Sequence, residues 1–459
     1  MKILNINSLE TTSISIDKLG RIYFYKNRVL RVINDNYISL VKEMFNSGFL
    51  SEIIDKKLFV DTWIPKDLQT EGYNLVVEHK KIENWNYPYE WTFSMLKDAA
   101  KTMIEINKIA KKYGFVLKDT HSNNIVFQNN KPLYFDLGGF DFLDKNDKNM
   151  GYRGIYSFFY IPLFLFSKKY LDIARNILLM RKSFSEREFF MLKYPFISKV
   201  IPFKFLFYLK KLALARDEQI KNRVKNRYFF LFLRMIKRML RLKFSIEILE
   251  KDINKLNFNY GLTKWGKYHN NINVENSYRF KRILDIINSL NDAQSLIEVG
   301  SNQGKFAIYI SKHSDVKKII ATDYDEEAVD RMYLSTKELN ISNIQSLVFD
   351  FVRPFGRLYD KPFYERVKSD IVLALALTHH LILSEGMDIQ DILKRMKLLT
   401  KKYIIIEFMP LGLWDGSNQP KIPKYYTIDW FRKNFERFFQ ILLEEKLEKN
   451  RYLFVGKIK

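Results

Sequence analysis

A glycine-rich motif follows an apolar segment in the second half of the chain. The motif Glu298-x-Gly300-x-Asn302-x-Gly304 lies at the end of the segment Ser295–Val299, and a helical pattern comes directly after it. Glycines let the backbone approach a ligand closely, and the first N–H groups of a helix face that ligand. The motif therefore predicts a cradle for a nucleotide-type cofactor.

Two aspartates follow the next two strand-like segments. Asp323 comes 19 residues after Gly304, where a carboxylate can accept hydrogen bonds from both ribose hydroxyls. Asp350 ends the third segment, where it could accept a hydrogen bond from an adenine amino group. A helix cap or a solvated strand end is the alternative role for either residue. Three such features in order, each at the end of a successive strand, are a stronger signal than the glycine turn alone.

Dinucleotides and S-adenosylmethionine are the two cofactor classes that use this arrangement. The turn begins with an acid and reads E-x-G-x-N-x-G rather than G-x-G-x-x-G. This order is similar to the first motif of class I methyltransferases, and it favours S-adenosylmethionine. Glu298, Gly300, Asn302, Gly304, Asp323 and Asp350 are thus the predicted cofactor-binding residues.

Candidate catalytic residues follow the fourth and fifth predicted strands. His379 and His380 come after the fourth, and Glu407 ends the fifth. Methyl transfer depends mainly on alignment, but a hydroxyl acceptor also needs a base, and histidine titrates in a suitable range. We expect one histidine to accept the proton and the other to pack in the fold. Glu407 is a second candidate, either as base or as orienting partner.

A third constellation lies in the first half of the chain. Asp119, Asn124 and Asp136 resemble the catalytic loop and the metal-binding loop of protein-kinase-like folds, with Asp119 as base and the other two as magnesium ligands. Leu117 stands where kinases carry histidine, the nucleotide loop shows only Gly20, and Arg31 matches the ATP-binding lysine loosely. The sequence therefore predicts weak or absent binding of Mg-ATP and no firm metal site.

The elements that would position these residues differ between the two halves. Residues 21–33 predict a hairpin around Lys26-Asn27, residues 36–55 and 89–113 predict helices, and residues 151–250 are mostly helical in pattern. From about residue 255, strands and helices alternate, which predicts a mainly parallel sheet with helices on both faces. The predicted strands are Ser295–Val299, Lys317–Thr322, Ser346–Phe349, Ile371–Leu377 and Tyr403–Phe408.

Composition limits the class of protein. The chain of 459 residues has no Cys, which excludes disulfides, Cys-ligated metals and thiol nucleophiles, and fits a reducing cytoplasm. The first residues lack the pattern of a signal peptide. The longest apolar run, Ile155–Phe166, is too short to span a bilayer, so we expect a buried helix there.

Basic residues are concentrated in one segment. The net charge is +24, and Lys204–Phe244 contains thirteen Lys and Arg against two acids, a net charge of +11. Residues 225–243 predict either a helix on an anionic membrane surface or, the favoured interpretation, a core-facing helix with a solvated basic side. Nucleic acid is disfavoured as a partner because no base-reading or stacking motif is present.

Several segments together resemble one family. YEWTFSMLKDAA, LKDTHSNNIVF, KPLYFDLGGF, EVGSNQGKF, ATDYDEEAVDRMY, SDIVLALALTHHL and IIIEFMP resemble the class I S-adenosylmethionine-dependent methyltransferases that include the nodulation-associated protein NoeA. The resemblance covers roughly residues 20–459 and is weakest over 170–255. It implies methyl transfer from S-adenosylmethionine, a kinase-like N-terminal half, and a cell-surface glycan or glycolipid among the candidate acceptors. Thr120 replaces the Ala that is usual in the family.

The resulting prediction is an α/β protein in two parts. Residues 251–459 form a Rossmann-like methyltransferase domain with a seven-stranded, mainly parallel sheet. Residues 1–250 form a kinase-like α+β domain with a small lobe over about 1–85 and a helical lobe over about 86–250. Three hypotheses remain: a cytoplasmic methyltransferase, peripheral at the inner membrane face if Lys204–Phe244 binds lipid; a bifunctional kinase-methyltransferase; or a methyltransferase with a non-catalytic binding module.

Overall fold

The computed structural model describes residues 2–5, 9–11, 17–144, 151–182, 184, 186–194, 203–215, 217–224, 226–261, 274–354, 356–357, 360–414 and 421–459. The chain forms two compact units. Unit 1 comprises Met1–Ile82, Leu96–Val126 and Pro132–Asn259, and unit 2 comprises Glu83–Met95, Phe127–Lys131 and Tyr260–Lys459. The division into domains at residue 250 stays a prediction. The compact units change near residue 259, and two short N-terminal segments belong to unit 2.

A five-stranded antiparallel sheet lies in unit 1. Its strand order is β2 (Glu10–Thr11), β3 (Gly20–Tyr25), β4 (Arg28–Ile33), β7 (Val76–His79) and β5 (Thr62–Trp63). The predicted hairpin is confirmed as β3 and β4, and Lys26 in its turn has a left-handed φ of 54°. The strands up to residue 142 are β1 (Lys2–Leu4), β2 (Glu10–Thr11), β3 (Gly20–Tyr25), β4 (Arg28–Ile33), β5 (Thr62–Trp63), β6 (Leu68–Thr70), β7 (Val76–His79), β8 (Phe115–Leu117), β9 (Ile125–Gln128), β10 (Lys131–Tyr134) and β11 (Phe140–Phe142).

The helices before residue 260 follow the predicted pattern with two differences. The helix predicted over residues 36–55 is divided in two because Gly48 adopts a left-handed φ of 84°. The helix predicted from Tyr89 begins at Phe93, after a short 3-10 turn at Pro88–Glu90. These helices are α1 (Ile38–Asn46), α2 (Phe49–Asp55), α3 (Phe93–Lys112), α4 (Tyr152–Ile155), α5 (Ile161–Ser167), α6 (Leu171–Met180), α7 (Glu186–Lys193), α8 (Phe203–Leu214), α9 (Asp217–Lys221), α10 (Arg227–Lys243) and α11 (Ile246–Lys255).

The apolar run Ile155–Phe166 is helical and largely buried, as predicted. It includes a π-helical turn, Tyr156–Tyr160, that leads into α5. Among the described residues, no helix has both the length and the apolar character needed to cross a membrane. The kinase-like character of residues 1–250 stays a prediction.

Unit 2 contains a seven-stranded sheet. Its strand order is β14 (Ile344–Val348), β13 (Lys318–Asp323), β12 (Ser295–Val299), β15 (Ser369–Ala374), β16 (Thr400–Phe408), β18 (Arg451–Ile458) and β17 (Phe439–Glu448). The first five strands of that order are parallel, and β18 is antiparallel to both of its neighbours, so the predicted mainly parallel sheet is confirmed. The strands are β12 (Ser295–Val299), β13 (Lys318–Asp323), β14 (Ile344–Val348), β15 (Ser369–Ala374), β16 (Thr400–Phe408), β17 (Phe439–Glu448) and β18 (Arg451–Ile458).

Helices precede, connect and follow the parallel strands of unit 2, in agreement with the alternating sequence pattern. They are α12 (Tyr278–Ser289), α13 (Lys305–His313), α14 (Glu326–Glu338), α15 (Phe363–Arg366), α16 (Thr378–Leu383), α17 (Ile389–Leu399) and α18 (Ile428–Phe435). Apolar residues of α12, α13 and α14 form a buried cluster with Leu296, Ile319 and Ile371 of the sheet. This packing fixes the carboxyl ends of the parallel strands, where ligands bind in sheets of this kind.

Candidate functional site

A cavity opens at the carboxyl ends of the central parallel strands of unit 2. It brings together six of the predicted site residues from three separate segments. These are Glu298, Gly300, Asn302, Asp323, His379 and His380. The roles of these residues remain predictions, but the structure places all six around one space.

The glycine turn has the backbone that its sequence predicts. Gly300, Asn302 and Gly304 have left-handed φ values of 76°, 51° and 68°. A Cβ at Gly300 would lie 3.2 Å from Leu377, and one at Gly304 would lie 2.3 Å from the sulfur of Met332. A side chain at position 300 would therefore crowd Leu377 in the cavity lining. Gly304, which is not a lining residue, is required for close packing of α13 against α14.

Asp323 is held at the end of β13 by backbone donors. Its carboxylate accepts the N–H of Asn302 at 2.8 Å and the N–H of Asp325 at 2.9 Å. Burial nevertheless raises its pKa to about 6, against the effect of these amides. A carboxylate with two oxygens has further lone pairs, so Asp323 can still accept ribose hydroxyls.

Glu298 is the most strongly perturbed acid of the cavity. Its side chain is only 4% exposed, and burial raises its pKa to about 8 although Arg279 opposes the rise. Its Oε2 atom is buried and has no hydrogen-bond partner among the described residues. A buried carboxylate of this kind is a natural acceptor for a cationic ligand group, because pairing removes the cost of its ionisation.

These features fit S-adenosylmethionine. The glycine cradle admits a close ligand, Asp323 suits the ribose, and the unpartnered oxygen of Glu298 suits the ammonium group of the methionine part. Tyr324, 59% exposed beside Asp323, adds an aromatic face to the cavity. The sequence analysis missed this residue, although its position next to Asp323 could have identified it.

Asp350 does not reach the cavity lining. One of its carboxylate oxygens accepts the backbone N–H groups of Val352 at 2.8 Å and Arg353 at 2.9 Å. These two bonds close the bend of residues 351–353 and do not cap a helix. A contact with adenine stays a prediction without support from the position of this carboxylate.

The two histidines lie on α16 with their ring centroids 4.0 Å apart. His379 is 5% exposed, whereas His380 is half-buried. Burial, His380 and Arg451 lower the pKa of His379 to about 3. The Nδ1 atom of His379 is buried and has no hydrogen-bond partner within the described part of the chain.

Glu407, the second candidate, lies at the end of β16. It is fully buried and outside the cavity lining, and Arg279 donates to both of its oxygens at 2.6 Å. Arg451 lies 3.1 Å away, and the N–H of Ala376 donates at 2.8 Å. Burial raises its pKa, but the two guanidinium groups outweigh burial and the pKa is lowered. Of its two predicted roles, the contacts fit an orienting partner and not a base.

The cations that Glu407 orients were missed by sequence reasoning. Arg279 and Arg451 both line the cavity, as does Lys305 at the start of α13. Arg279 is 128 residues from Glu407 in the sequence, and no local pattern signals such a pair. The cavity therefore combines two perturbed carboxylates with three cations and two imidazoles.

The predicted kinase-like residues lie near one another in unit 1, but a basic residue occupies their midst. Asn124 donates to Asp136 at 3.4 Å, and Arg31, which is 3% exposed, pairs with both Asp17 and Asp136. Asp119 lies 3.9 Å from His121. Burial raises the pKa of Asp136, and Arg31 opposes the rise. No group of three or more potential metal ligands occurs in the described ranges.

Comparison with known proteins identifies one curated relative. The chain is 23% identical over 419 residues to the nodulation protein NoeA of Rhizobium meliloti (strain 1021). The aligned region covers 86% of this chain and 83% of that protein. No family model matches the chain. The predicted resemblance to NoeA is thus confirmed over most of both chains.

Solved methyltransferases are similar to part of the chain. An S-adenosylmethionine-dependent methyltransferase from Aquifex aeolicus is 15% identical with a TM-score of 0.30, and covers 39% of this chain and 89% of its own. Magnesium protoporphyrin IX methyltransferase from Synechocystis, solved with bound S-adenosylhomocysteine, is 12% identical with a TM-score of 0.30, and covers 39% and 82%.

Proposed function

We propose that this NoeA-like, S-adenosylmethionine-dependent methyltransferase transfers a methyl group to a hydroxyl of a cell-surface glycan or glycolipid. The observation that carries the cofactor part is the cavity itself. Glu298 and Asp323 lie at the ends of neighbouring parallel strands, beside a glycine cradle, and both line the cavity. One carboxylate oxygen of Glu298 is buried and has no hydrogen-bond partner among the described residues.

The proposed binding roles follow from these contacts. Asp323 accepts the ribose hydroxyls, and Glu298 pairs with the ammonium group. Arg279 and Arg451, both oriented by Glu407, form a cationic wall suited to a carboxylate. When bound, S-adenosylmethionine supplies a methyl group activated by its positive sulfur.

We assign the base to His380. A base must hold the proton it takes, and a group with a pKa of about 3 holds it poorly at neutral pH, which disfavours His379. His380 lines the same cavity and is less buried. The acceptor hydroxyl would lose its proton to His380 as its oxygen bonds to the methyl group, and the broken S–CH₃ bond would leave S-adenosylhomocysteine. A neighbouring hydroxyl of the acceptor would donate an orienting hydrogen bond to Nδ1 of His379.

The choice of a glycan or glycolipid rests on the resemblance to the NoeA group and on the histidine pair, which suits a hydroxyl. A non-catalytic N-terminal module is the second part of the proposal. Arg31 pairs with both Asp17 and Asp136, so the one carboxylate that would hold magnesium, Asp136, already has a guanidinium partner.

Calorimetry of the full chain with S-adenosylmethionine, S-adenosylhomocysteine and NAD tests the cofactor. We expect binding of the first two and not of NAD; the reverse result would overturn the enzyme class. Transfer of labelled methyl groups to the glycolipid, polysaccharide and protein fractions of the source cells then tests the acceptor. Label in the protein fraction alone would refute the glycan proposal and leave the methyltransferase intact. His313→Ala, on α13 outside the cavity lining, is the control for His380→Ala.

A further inference from the structure

The basic helix α10 exposes an apolar stripe to solvent. Tyr228 is 84% exposed, Phe232 50%, Met235 55% and Met239 62%. These four residues follow one another at intervals of four, three and four, so they lie on the same side of the helix. A helix with an exposed side of this size normally has a partner, because isolated apolar side chains are common on surfaces but contiguous ones are not.

The stripe is distinct from the side that holds α10 in unit 1. Leu233 is buried in a small cluster with Leu212 and Ile220, and Phe230, Ile236 and Leu240 pack against that cluster. Lys237, also buried, pairs with Asp217. The helix is therefore already anchored on one side. The favoured sequence interpretation, a core-facing helix with a solvated basic side, describes that anchored side but not the exposed apolar stripe.

Cations flank the apolar stripe. Arg227, Arg234 and Arg238 are exposed, and their spacing of seven and four places them along one edge of it. The neighbouring helix α8 packs against α10 and adds exposed Phe205 and Tyr208. The only acids in Lys204–Phe244 are Asp217 and Glu218. This surface, the α8–α10 face, is thus apolar along its centre and positive along its edge.

Charge distinguishes between the possible occupants of the α8–α10 face. A second copy of the chain would bring two segments of net charge +11 together, and like charges repel. An anionic lipid surface offers the opposite charge and also accepts aromatic, Leu and Met side chains at its boundary. We propose that the α8–α10 face docks the protein on an anionic membrane surface, with the apolar stripe inserted between headgroups. This proposal does not depend on the methyltransferase function.

The absence of Cys permits a site-specific test with the full chain. Met235→Cys would carry an environment-sensitive fluorophore on the stripe, and Met180→Cys, at a residue 64% exposed on α6, would carry the same label as the control. Vesicles of phosphatidylcholine alone and of equal parts phosphatidylcholine and phosphatidylglycerol are the probes. We expect a blue shift from the label at 235 with the anionic vesicles only, and none from the label at 180.

Sedimentation with the same vesicles measures the binding strength. Phe232→Ser with Met239→Ser should weaken partition by at least about tenfold, since apolar insertion contributes much of such binding. Arg227→Glu with Arg238→Glu should weaken it similarly. High salt should weaken the binding of the wild-type chain to anionic vesicles, because about 1 M salt shortens the Debye length to about 3 Å. All four substituted residues are exposed, and melting curves would verify that the fold is retained.

Three results would overturn the proposal. One is a wild-type chain that does not bind anionic vesicles. Another is binding that the serine variant leaves unchanged. The third is a concentration-dependent oligomer that the serine variant abolishes, which would make the α8–α10 face an interface between copies of the chain.

Discussion

Replacing Glu298 by Gln should remove most of the pH dependence of cofactor binding. The substitution keeps the shape of the side chain and abolishes its titration. Burial raises the pKa of Glu298 to about 8, so at neutral pH the carboxyl is mostly protonated. An ammonium group requires the ionised form, and binding must therefore release a proton.

The magnitude follows from the two raised pKa values. Between about pH 5.5 and 7.5, the ionised fraction of an acid with a pKa of about 8 increases by a factor of about 75, equivalent to about 2.6 kcal/mol. Over the same interval, an acid with a pKa of about 6, such as Asp323, gains only a factor of about four. We expect the affinity of the wild-type chain to rise roughly 300-fold and that of Glu298→Gln roughly fourfold.

Calorimetry with S-adenosylhomocysteine is the suitable assay, because this ligand keeps the ammonium group and undergoes no turnover. Titrations in two buffers of different ionisation enthalpy would also count the protons released. Glu338→Gln, at an exposed acid at the end of α14, is the matched control and should keep the wild-type slope. A wild-type affinity that is flat with pH, or a Glu298→Gln slope equal to that of wild type, would refute the assignment of Glu298 to the ammonium group.

Glu298→Gln should also change how the thermal stability of the protein depends on pH. The pKa of Glu298 is raised in the folded state, so its contribution is fully present below the unfolded value of about 4.5 and is lost as pH rises towards 8. Without ligand, Glu298→Gln should therefore melt at a higher temperature than wild type at pH 8, with the difference vanishing near pH 4.5.

Four further predictions concern other residues. Asp323→Ala should cost roughly 1–3 kcal/mol of cofactor affinity by calorimetry, since the ribose hydroxyls lose a charged acceptor, and unchanged affinity would contradict the ribose role. Glu407→Gln should lower the free energy of unfolding by roughly 3–5 kcal/mol in denaturant titrations, because Arg279 loses its buried counter-charge; a change below about 1 kcal/mol would count against this pairing. Mg-ATP should produce no thermal shift, and a shift that disappears in Asp136→Asn would show an active nucleotide site. His380→Ala should cut turnover by roughly a hundredfold with nearly unchanged cofactor affinity, whereas full turnover would place the base elsewhere.

The local parts of the site were predictable because their residues are contiguous. A strand, a glycine turn and a helix start within ten residues of Ser295, so Gly300 and Asn302 adopt left-handed conformations that their sequence context already indicates. The mainly parallel character of the sheet could also be predicted. Alternating apolar segments of strand and helix length leave few arrangements other than a mainly parallel sheet.

The partners of charged groups were not predictable from local sequence. Glu407 looked like a base because it ends a strand near the histidines. Its pairing with Arg279 across 128 residues fits the other predicted role, that of an orienting partner. The choice between His379 and His380 also depended on burial, which differs between adjacent residues of one helix turn because their side chains point about 100° apart.

Local sequence predicted the cofactor class and the elements that form the cradle. Only the tertiary structure decided which acids carry perturbed pKa values, which carboxylate caps a turn, and which face of α10 is exposed. Motifs are encoded by neighbours in the chain, whereas burial and ion pairing depend on neighbours in space. Glu298 and Asp350 are both acids near strand ends, yet one is desolvated with an unpartnered oxygen and the other accepts two backbone amides. That difference arises from packing around each carboxylate, which no local pattern of residues records.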